Sequence, residues 1–244
     1  MKKKFLIIGG TQEGNLLAKY FENHNINYVI SYLGIVGKVN KKKFNKRIGG
    51  FGGKDGIKQY IKLNNVTHVI DCSHPFSETI SRNTFEACNF LNIPIVKYTR
   101  KPWYKKKGDI WTKLKNFQEC LDLLKCPPKR IFLSIGRKNL HLFKPASHHF
   151  FLLRFIENKN TSFFPNQKHL ISTGPHKVDE EKKILEKYKI EAIITKNSGG
   201  SSYSKITAAR ELKIPVLIIS RPKSIKIKLF YDLNLVTDWI LQDL

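Results

Sequence analysis

The sequence has few of the features that define secreted, metal-binding or membrane-spanning proteins. It holds four cysteines among 244 residues, and no two of them form a C-x-x-C pair. This argues against a disulfide scaffold or a zinc site and predicts a reducing compartment. No apolar run approaches a transmembrane span, and the run at residues 5–8 is too short for a signal peptide. We therefore expect a cytoplasmic protein with no membrane segment and no metal site.

Acidic residues are also scarce: 19 Asp and Glu stand against 44 Lys and Arg, which gives a formal net charge of +25. Such a balance points first to nucleic acid. Only eight of the 44 are Arg, however, and Arg is the residue that reads bases and grips phosphate in a bidentate manner. The lysines are spread along the whole chain. We therefore disfavour nucleic acid as the main partner and expect a polyanionic small molecule, which a positive field attracts.

Motifs of three common enzyme classes are missing. None of the nine tyrosines has a lysine four residues later, as a short-chain dehydrogenase requires. No G-x-S-x-G elbow of an α/β-hydrolase occurs. Asn15 and Leu16 stand where a P-loop carries Lys and Ser or Thr, which argues against a P-loop ATPase.

What the chain does contain is a repeated alternation of short apolar strands and helices. Strands are predicted at residues 4–8, 28–32, 67–71, 93–98, 130–135, 150–156, 170–172, 192–195 and 216–220. This alternation is typical of a parallel, doubly wound sheet. A polar segment at residues 104–109 interrupts it. We predict an α/β fold of two Rossmann-like domains, residues 1–103 and 104–244, with mostly parallel sheets and a cleft between them.

The first strand leads into a glycine turn and then into a helix, which is the arrangement of a dinucleotide site. The candidate cofactor contacts are Gly9, Gly10, Thr11, Glu13 and Gly14. The match to G-x-G-x-x-G is incomplete because Thr11 replaces the middle glycine. A plain strand-to-helix turn therefore stays open as the alternative.

The second strand lacks the carboxylate that an NAD site usually places near its end, since no acidic residue occurs between Glu22 and Asp55. The segment contains instead Ser31, Lys38, Lys41, Lys42, Lys43, Lys46 and Arg47. Hydroxyl and cations favour the 2′-phosphate of NADP, and the alternative is a solvated lysine loop. The glycine-rich loop that follows requires unusual backbone angles or close approach to a ligand. The candidate cofactor contacts in it are Gly50, Phe51 and Gly52.

The third clear strand ends in a polar turn that opens a helix, and ligands bind at such strand ends in open α/β sheets. His74 is a candidate acid or hydrogen-bond donor, and Asp71 is a candidate to orient it or to cap the helix. The candidate substrate contacts here are Ser73, Pro75 and Phe76. The alternative is an ordinary helix start with Ser77 as its cap.

Strand ends further along the chain suit anions. The stretch Lys196, Asn197, Ser198, Gly199, Gly200 offers a cation, an amide, a hydroxyl and backbone N–H groups, although it is also a plausible glycine-rich connection. Arg100 and Arg221 each lie near a proline just beyond a strand. We predict that these residues bind substrate carboxylates, and for the two arginines the alternative is a surface ion pair.

Together these motifs resemble the precorrin-6A reductase family of corrin (vitamin B12) biosynthesis. The matching pieces follow the same order along nearly the whole chain: residues 9–14, 49–53, 71–76, 100–103, 108–111, 195–200, 205–210 and 214–222. The sequence departs from the family at Cys72 and Ser73, where the family more often has Ala and Thr.

The resemblance implies hydride transfer from NADPH, or NADH, to a ring carbon of precorrin-6A or its cobalt form, giving the 6B form. It implies that the anionic macrocycle and NADPH bind between two Rossmann-like domains, which would give the Lys and Arg loops a partner. His74 or solvent would supply the accompanying proton. The alternatives are another NAD(P)-dependent oxidoreductase or epimerase, and a non-catalytic module that binds NADPH or nucleic acid. No oligomeric state is predicted.

Overall fold

The computed structural model describes residues 3–34, 44–157, 162–223 and 225–242, and it divides into two α/β units. Unit 1 comprises Met1–Lys101 and Lys223–Leu244, and unit 2 comprises Pro102–Pro222. Each unit has one six-stranded sheet in which neighbouring strands pair in parallel. The predicted fold class of two Rossmann-like domains with parallel sheets is confirmed. In the described part of the chain, no helix has the length and apolar character needed to cross a membrane.

The strands of unit 1 are β1 (Phe5–Ile8), β2 (Tyr28–Tyr32), β3 (Lys46–Ile48), β4 (His68–Asp71), β5 (Ile95–Tyr98) and β12 (Lys228–Phe230). They form one sheet with the strand order β12-β5-β4-β1-β2-β3. Its helices are α1 (Gln12–Asn23), α2 (Gly53–Leu63), α3 (Glu78–Phe90) and α7 (Leu233–Gln242). If the strands are numbered within the unit, the spatial order is 3-2-1-4-5-6, which is the Rossmann order. Successive strands are added to one side of β1 up to β3 and to the other side from β4 onward, so the strand order reverses between β1 and β4. The ends of β1 and β4 carry the two polar turns predicted as sites.

The strands of unit 2 are β6 (Trp111–Leu114), β7 (Arg130–Ser134), β8 (Phe150–Phe155), β9 (Gln167–Ile171), β10 (Ala192–Lys196) and β11 (Val216–Ile219). They form one sheet with the strand order β6-β11-β10-β7-β8-β9. Its helices are α4 (Phe117–Leu123), α5 (Val178–Lys187), α6 (Ser204–Glu211) and a 3₁₀ helix (Arg137–Ala146). From β7 onward the order repeats that of unit 1, so the reversal lies between β7 and β10. The outer sixth position is filled by β6, which precedes the others in the chain.

The central strand β1 shows why the unit forms two apolar layers. All four of its side chains are buried, as expected for a parallel strand covered by helices on both faces. Phe5 and Ile7 belong to one core cluster, and Leu6 and Ile8 belong to another. Alternate residues of a strand point to opposite faces, so one apolar strand contributes to both layers.

The structure differs from the predicted division of the chain at its end. The prediction placed residues 104–244 in one domain, but Lys223–Leu244 groups with unit 1. Strand β12 pairs with β5 through Lys228, Leu229 and Phe230, and α7 packs Val236 and Ile240 into the core of unit 1. The short segment of β12 carries no clear strand periodicity, and its partner lies more than 100 residues earlier, so local patterning did not indicate it.

Edge strands account for the other differences. The prediction missed β3, a three-residue strand with the sequence Lys-Arg-Ile at one edge of the first sheet. Strand β9, the corresponding edge of the second sheet, begins three residues before its predicted start. Edge strands bury less apolar surface, so their hydrophobic pattern is weak. The lysines at positions 38 and 41–43 lie outside the described residues.

We predict that α7 stabilises unit 1 through Ile240, whose side chain is fully buried. The change Ile240→Ala should lower the free energy of unfolding by about 2–5 kcal/mol, because it removes buried methyl groups and leaves a cavity. The control Leu241→Ala affects a neighbour that is 52% exposed and should cost less than about 0.5 kcal/mol. Urea unfolding followed by Trp239 fluorescence measures both. Equal losses in the two variants would contradict the packing of α7.

Candidate functional site

The glycine turn after β1 needs its outer glycines for packing. A Cβ atom on Gly9 would lie 2.9 Å from Cγ1 of Ile30 in β2. A Cβ atom on Gly14 would lie 3.2 Å from Cβ of Cys72 and 3.4 Å from Cα of Gly9. Gly10 differs, because its Cβ position has no atom within 4 Å but its φ is +111°. The turn thus draws α1 close to the sheet and leaves the backbone at Gly10 open.

Thr11 explains how the turn tolerates a side chain at the middle glycine position of the motif. Its hydroxyl donates to the carbonyl oxygen of Cys72 (2.7 Å) and accepts from the backbone N–H of Gly14 (3.3 Å). The side chain is therefore turned into the protein, and Thr11 is only 9% exposed. The first-turn N–H groups of a helix have no intrahelical acceptor and carry a partial positive charge. The start of α1 therefore remains suited to a phosphate.

Glu13 and Arg100 form an ion pair beside this turn. The guanidinium Nη1 of Arg100 lies 3.2 Å from Oε2 of Glu13, and both side chains are largely buried. A carboxylate in the first turn of α1 would repel a phosphate, and the arginine offsets that charge. The structure thus gives Arg100 a carboxylate partner inside unit 1, the ion-pair alternative that the sequence left open.

The loop between β3 and α2 is shaped by Arg47 and two glycines. Arg47 lies beside Ser31 in the strand register and donates to its hydroxyl. Gly52 has φ +79° and immediately precedes α2. Gly56 was not predicted as important, yet a Cβ atom there would lie 1.6 Å from the carbonyl oxygen of Phe51. The loop therefore folds onto the first turn of α2, so that only glycine fits at position 56.

Asp71 ends β4 with a fully buried carboxylate that has three partners. Its Oδ1 accepts from the backbone N–H of Ser73 (2.8 Å). Its Oδ2 accepts from the hydroxyl of Ser81 (2.5 Å) and from the ammonium of Lys97 on β5 (2.5 Å). Asp71 therefore fixes the polar turn to α3 and β5. The predicted contact in which Asp71 orients His74 is not among these bonds.

His74 lies in the turn, half-buried. Its Nδ1 accepts from the backbone N–H of Phe76 (3.2 Å), and its carbonyl oxygen accepts from the N–H of Ser77 (2.8 Å). The bond from the N–H of Phe76 to Nδ1 corresponds to the neutral tautomer in which Nε2 carries the proton. Ser77 occupies the N-cap position of α3, but its side chain makes no capping hydrogen bond. The turn is thus held by its own backbone and by Asp71 rather than by a serine cap.

In unit 2, the loop after β10 is tied to the start of the unit. The side-chain amide of Asn197 accepts from the N–H of Trp103 (2.7 Å) and donates to its carbonyl oxygen (3.0 Å). The indole N–H of Trp103 donates to the carbonyl oxygen of Gly200 (3.0 Å). The guanidinium of Arg221 donates to the carbonyl oxygens of Asn197 and Ser198, each at 3.0 Å. These bonds give Asn197 and Arg221 a part in holding the loop, which the sequence did not indicate.

Lys196 connects the ends of the two strands that flank the reversal point of unit 2. Its ammonium donates to Oδ1 of Asn139 (2.7 Å), which follows β7. Burial, reinforced by the charge of Lys138, lowers the pKa of Lys196 to about 8. Neither Asn139 nor Lys138 was predicted as part of a site. The signal available in the sequence was Gly136, which directly follows the predicted strand. In the structure it has a φ of +76° and begins the turn after β7.

The fold and these strand ends define a class: a two-unit Rossmann-like α/β protein whose first unit carries a dinucleotide-type glycine turn. The comparison with protein families narrows this class. A family model described as "Precorrin-6x reductase CbiJ/CobK" matches residues 4–241. The chain belongs to this family of oxidoreductases of cobalamin biosynthesis.

Individual relatives agree with the family match. The chain is 34% identical to a precorrin-6A reductase of Rhodobacter capsulatus over 221 residues, 90% of this chain and 88% of the relative. It is 27% identical to a cobalt-precorrin-6A reductase of Methanocaldococcus jannaschii over 229 residues, 89% of this chain and 90% of the relative. A solved structure described as "CobK precorrin-6A reductase" matches with a TM-score of 0.92 and 33% identity, covering 98% of this chain and 96% of that one.

We predict that Lys97 is required for stability because it neutralises the buried carboxylate of Asp71. The change Lys97→Met should lower the free energy of unfolding by about 3–5 kcal/mol, since it leaves a buried carboxylate without its cation. The control Lys54→Met breaks the exposed Lys54–Glu86 pair, whose side chains are each 43% exposed, and should cost less than about 1 kcal/mol. Urea unfolding measures both. A loss for Lys97→Met no larger than that of the control would contradict the prediction.

Proposed function

We propose that the protein reduces the macrocycle of precorrin-6A, or of cobalt-precorrin-6A, with NADPH as the electron donor. The observation that carries the proposal is the identity to precorrin-6A reductases across about nine-tenths of the chain. The higher identity to the relative named for the metal-free substrate favours precorrin-6A itself. An NADPH-dependent oxidoreductase or epimerase acting on another anionic substrate is the second candidate, because the glycine turn alone specifies only a dinucleotide.

The glycine turn of unit 1 fits a dinucleotide. The backbone at Gly10 is open, and the side chain of Thr11 is turned inward. Arg100 offsets the negative charge of Glu13 at the start of α1. We assign the pyrophosphate of the cofactor to residues 9–14. When bound, the nicotinamide of NADPH supplies a hydride, so the macrocycle gains two electrons and NADP⁺ is left.

A proton must accompany the hydride, and His74 is our candidate to supply it. The bond from the N–H of Phe76 to Nδ1 leaves the ring proton on Nε2 in the neutral form. Because a neutral imidazole is too weak an acid, the donor is the imidazolium. Solvent protonates Nδ1, which releases the N–H of Phe76, and transfer of one ring proton to the macrocycle leaves the neutral ring. Asp71 supports this role indirectly, because its bond to the N–H of Ser73 fixes the backbone that precedes His74.

We assign Lys196 and the loop that follows β10 to binding the carboxylates of the macrocycle. Lys196, with its pKa near 8, is mostly charged at pH 7, and a bound carboxylate would favour the charged form further. The backbone N–H groups of Gly199 and Gly200 are further candidate donors, whereas the N–H of Ser198 already donates to the carbonyl oxygen of Lys196 (2.7 Å). Asn197 and Arg221 hold the loop after β10. We therefore assign them two roles: they shape the subsite for the substrate carboxylates, and they contact the substrate as predicted.

We predict that anaerobic mixing with precorrin-6A converts an equimolar amount of NADPH to NADP⁺ and changes the macrocycle spectrum. Parallel reactions with NADH and with the cobalt-loaded macrocycle measure the preferences. An epimerase would change its substrate without net NADPH loss, and a non-catalytic binder would show a thermal shift with NADPH but no oxidation. Failure to oxidise either nicotinamide with either macrocycle would reject the reductase proposal.

We predict that His74→Asn lowers kcat by about 100-fold if His74 supplies the proton. The Asn side chain keeps an acceptor for the N–H of Phe76, so the melting temperature should stay close to that of the native protein. His24→Asn, an exposed histidine on the C-terminal side of α1, is the matched control and should retain full activity. Near-normal kcat in His74→Asn would show that the proton comes from elsewhere.

A further inference from the structure

The ammonium of Lys196 is held by a neutral amide. Lys196 is the last residue of β10, and its Nζ donates to Oδ1 of Asn139 (2.7 Å) in the 3₁₀ helix that follows β7. Strands β7 and β10 pair in parallel, so their carboxyl ends lie side by side. The hydrogen bond therefore joins two neighbouring strand ends within unit 2.

The position of Asn139 is fixed by the residues around it. Leu140, which follows it, is 1% exposed, and Phe143, one turn further along the 3₁₀ helix, is fully buried. These two side chains anchor the helix in the core and restrain the backbone that carries Asn139. The Nζ of Lys196 has a second neighbour, since it lies 5.6 Å from the ring centroid of Phe117 at the start of α4. Two elements thus restrain a lysine side chain that is flexible by itself.

The acceptor at Lys196 differs in charge from the acceptors of other largely buried cations of the chain. Those cations are neutralised by carboxylates, as in the pairs Lys97–Asp71, Arg154–Glu181 and Arg210–Asp109. Asn139 supplies an oxygen without a net charge, so this hydrogen bond orients the ammonium but does not neutralise it. Burial and the charge of Lys138 lower the pKa of Lys196 from its ordinary value of 10.5 to about 8, whereas a neutralising carboxylate would raise it.

A positioned cation of this kind is suited to an incoming anion. Holding a charge away from water costs free energy unless an opposite charge lies beside it, and a ligand carboxylate that reaches the ammonium supplies that charge. An ammonium that is already oriented also loses little conformational freedom when the ligand binds. An aspartate at position 139 would occupy the ammonium before the ligand arrives. The amide is therefore the side chain that orients Lys196 and leaves its charge for a ligand.

We infer that Asn139 is a positioning residue for Lys196: it holds the ammonium at the end of β10 and leaves the positive charge available to a carboxylate of the substrate. The inference rests on the proposed function, in which the substrate is an anionic macrocycle, and it adds the residue that orients one of its cations. Asn139 acts through Lys196 and makes no contact of its own with the substrate.

The first test follows Lys196 itself in the full-length protein. Trace acetylation with acetic anhydride at a series of pH values, with the modified peptides quantified by mass spectrometry, measures how much of Lys196 is deprotonated. The native side chain should titrate near pH 8. Asn139→Asp should move the titration to higher pH, because a carboxylate favours the charged amine. The control Asn166→Asp adds the same charge at an exposed position before β9 and should not move it.

The second test is steady-state turnover of precorrin-6A with NADPH. Asn139→Asp should raise the KM for precorrin-6A by about 30-fold, since one charge-assisted contact is lost. The KM for NADPH and kcat should stay within about twofold of the native values. Asn139→Gln keeps the amide and should raise the KM least, and Asn166→Asp should match the native protein. A purely structural role would instead lower the melting temperature and alter both KM values together.

A double-mutant cycle determines whether Asn139 acts through Lys196. Asn139→Ala and Lys196→Met should each raise the KM for precorrin-6A. The combined variant should be no worse than Lys196→Met alone, because no ammonium is left to position. Additive increases would show that Asn139 contacts the substrate independently and would overturn the inference. An unchanged KM in a folded Asn139→Ala variant would overturn it as well.

The outcomes separate this inference from the proposed function. An unchanged titration of Lys196 in a folded Asn139→Asp variant rejects the positioning role even when the native protein reduces precorrin-6A. A shifted titration, combined with no oxidation of either nicotinamide by the native protein with either macrocycle, retains the positioning role and rejects the reductase proposal.

Discussion

The pairing of the central strand β1 with β2 and β4 is the constraint on which unit 1 depends. In this register Ile8 lies opposite Ser31 on one side and Asp71 on the other. The next hydrogen bonds continue the same pairing: Gly9 donates to Ser31, and Cys72 donates to Ile8. The candidate cofactor turn and the turn that holds His74 are therefore extensions of two strand ladders. Because parallel strands all end at the same edge, segments far apart in the sequence meet there without any further device.

Buried acidic residues stabilise the elements and loops near the strand ends. Asp71 is paired with Lys97, Glu181 with Arg154, and Asp109 with Arg210. Each pair lies within one unit. Asp71 also accepts from Ser73 and Ser81, and Asp109 also accepts from the N–H of Lys106. Burying a charge is costly unless it is paired and hydrogen-bonded. Among the described residues, each of these three buried acids therefore has a basic partner, one of them a lysine and two of them arginines.

The two units share a strand order but differ in their chemistry at the reversal point. In unit 1 a glycine turn opens an α-helix, which suits a phosphate. In unit 2 the corresponding strand is followed by a 3₁₀ helix, and Lys196 reaches across to Asn139. One fold therefore presents the N–H groups of a helix start in the first unit and a side-chain cation in the second. Function follows these strand ends and not the topology that positions them.

The sequence by itself determined the fold class, the parallel sheets and the position of the polar strand ends, because buried parallel strands are continuous apolar runs and glycine turns are local signals. It also pointed to the family through motifs in conserved order along the chain. Only the tertiary structure decided that β12 and α7 complete unit 1, that Asp71 is held by Lys97, that Asn197 and Arg221 hold their own loop, and that Arg47 lies against Ser31. Each of these depends on contacts between segments well separated in the chain or on the direction of a side chain, and neither is encoded in local hydrophobic periodicity.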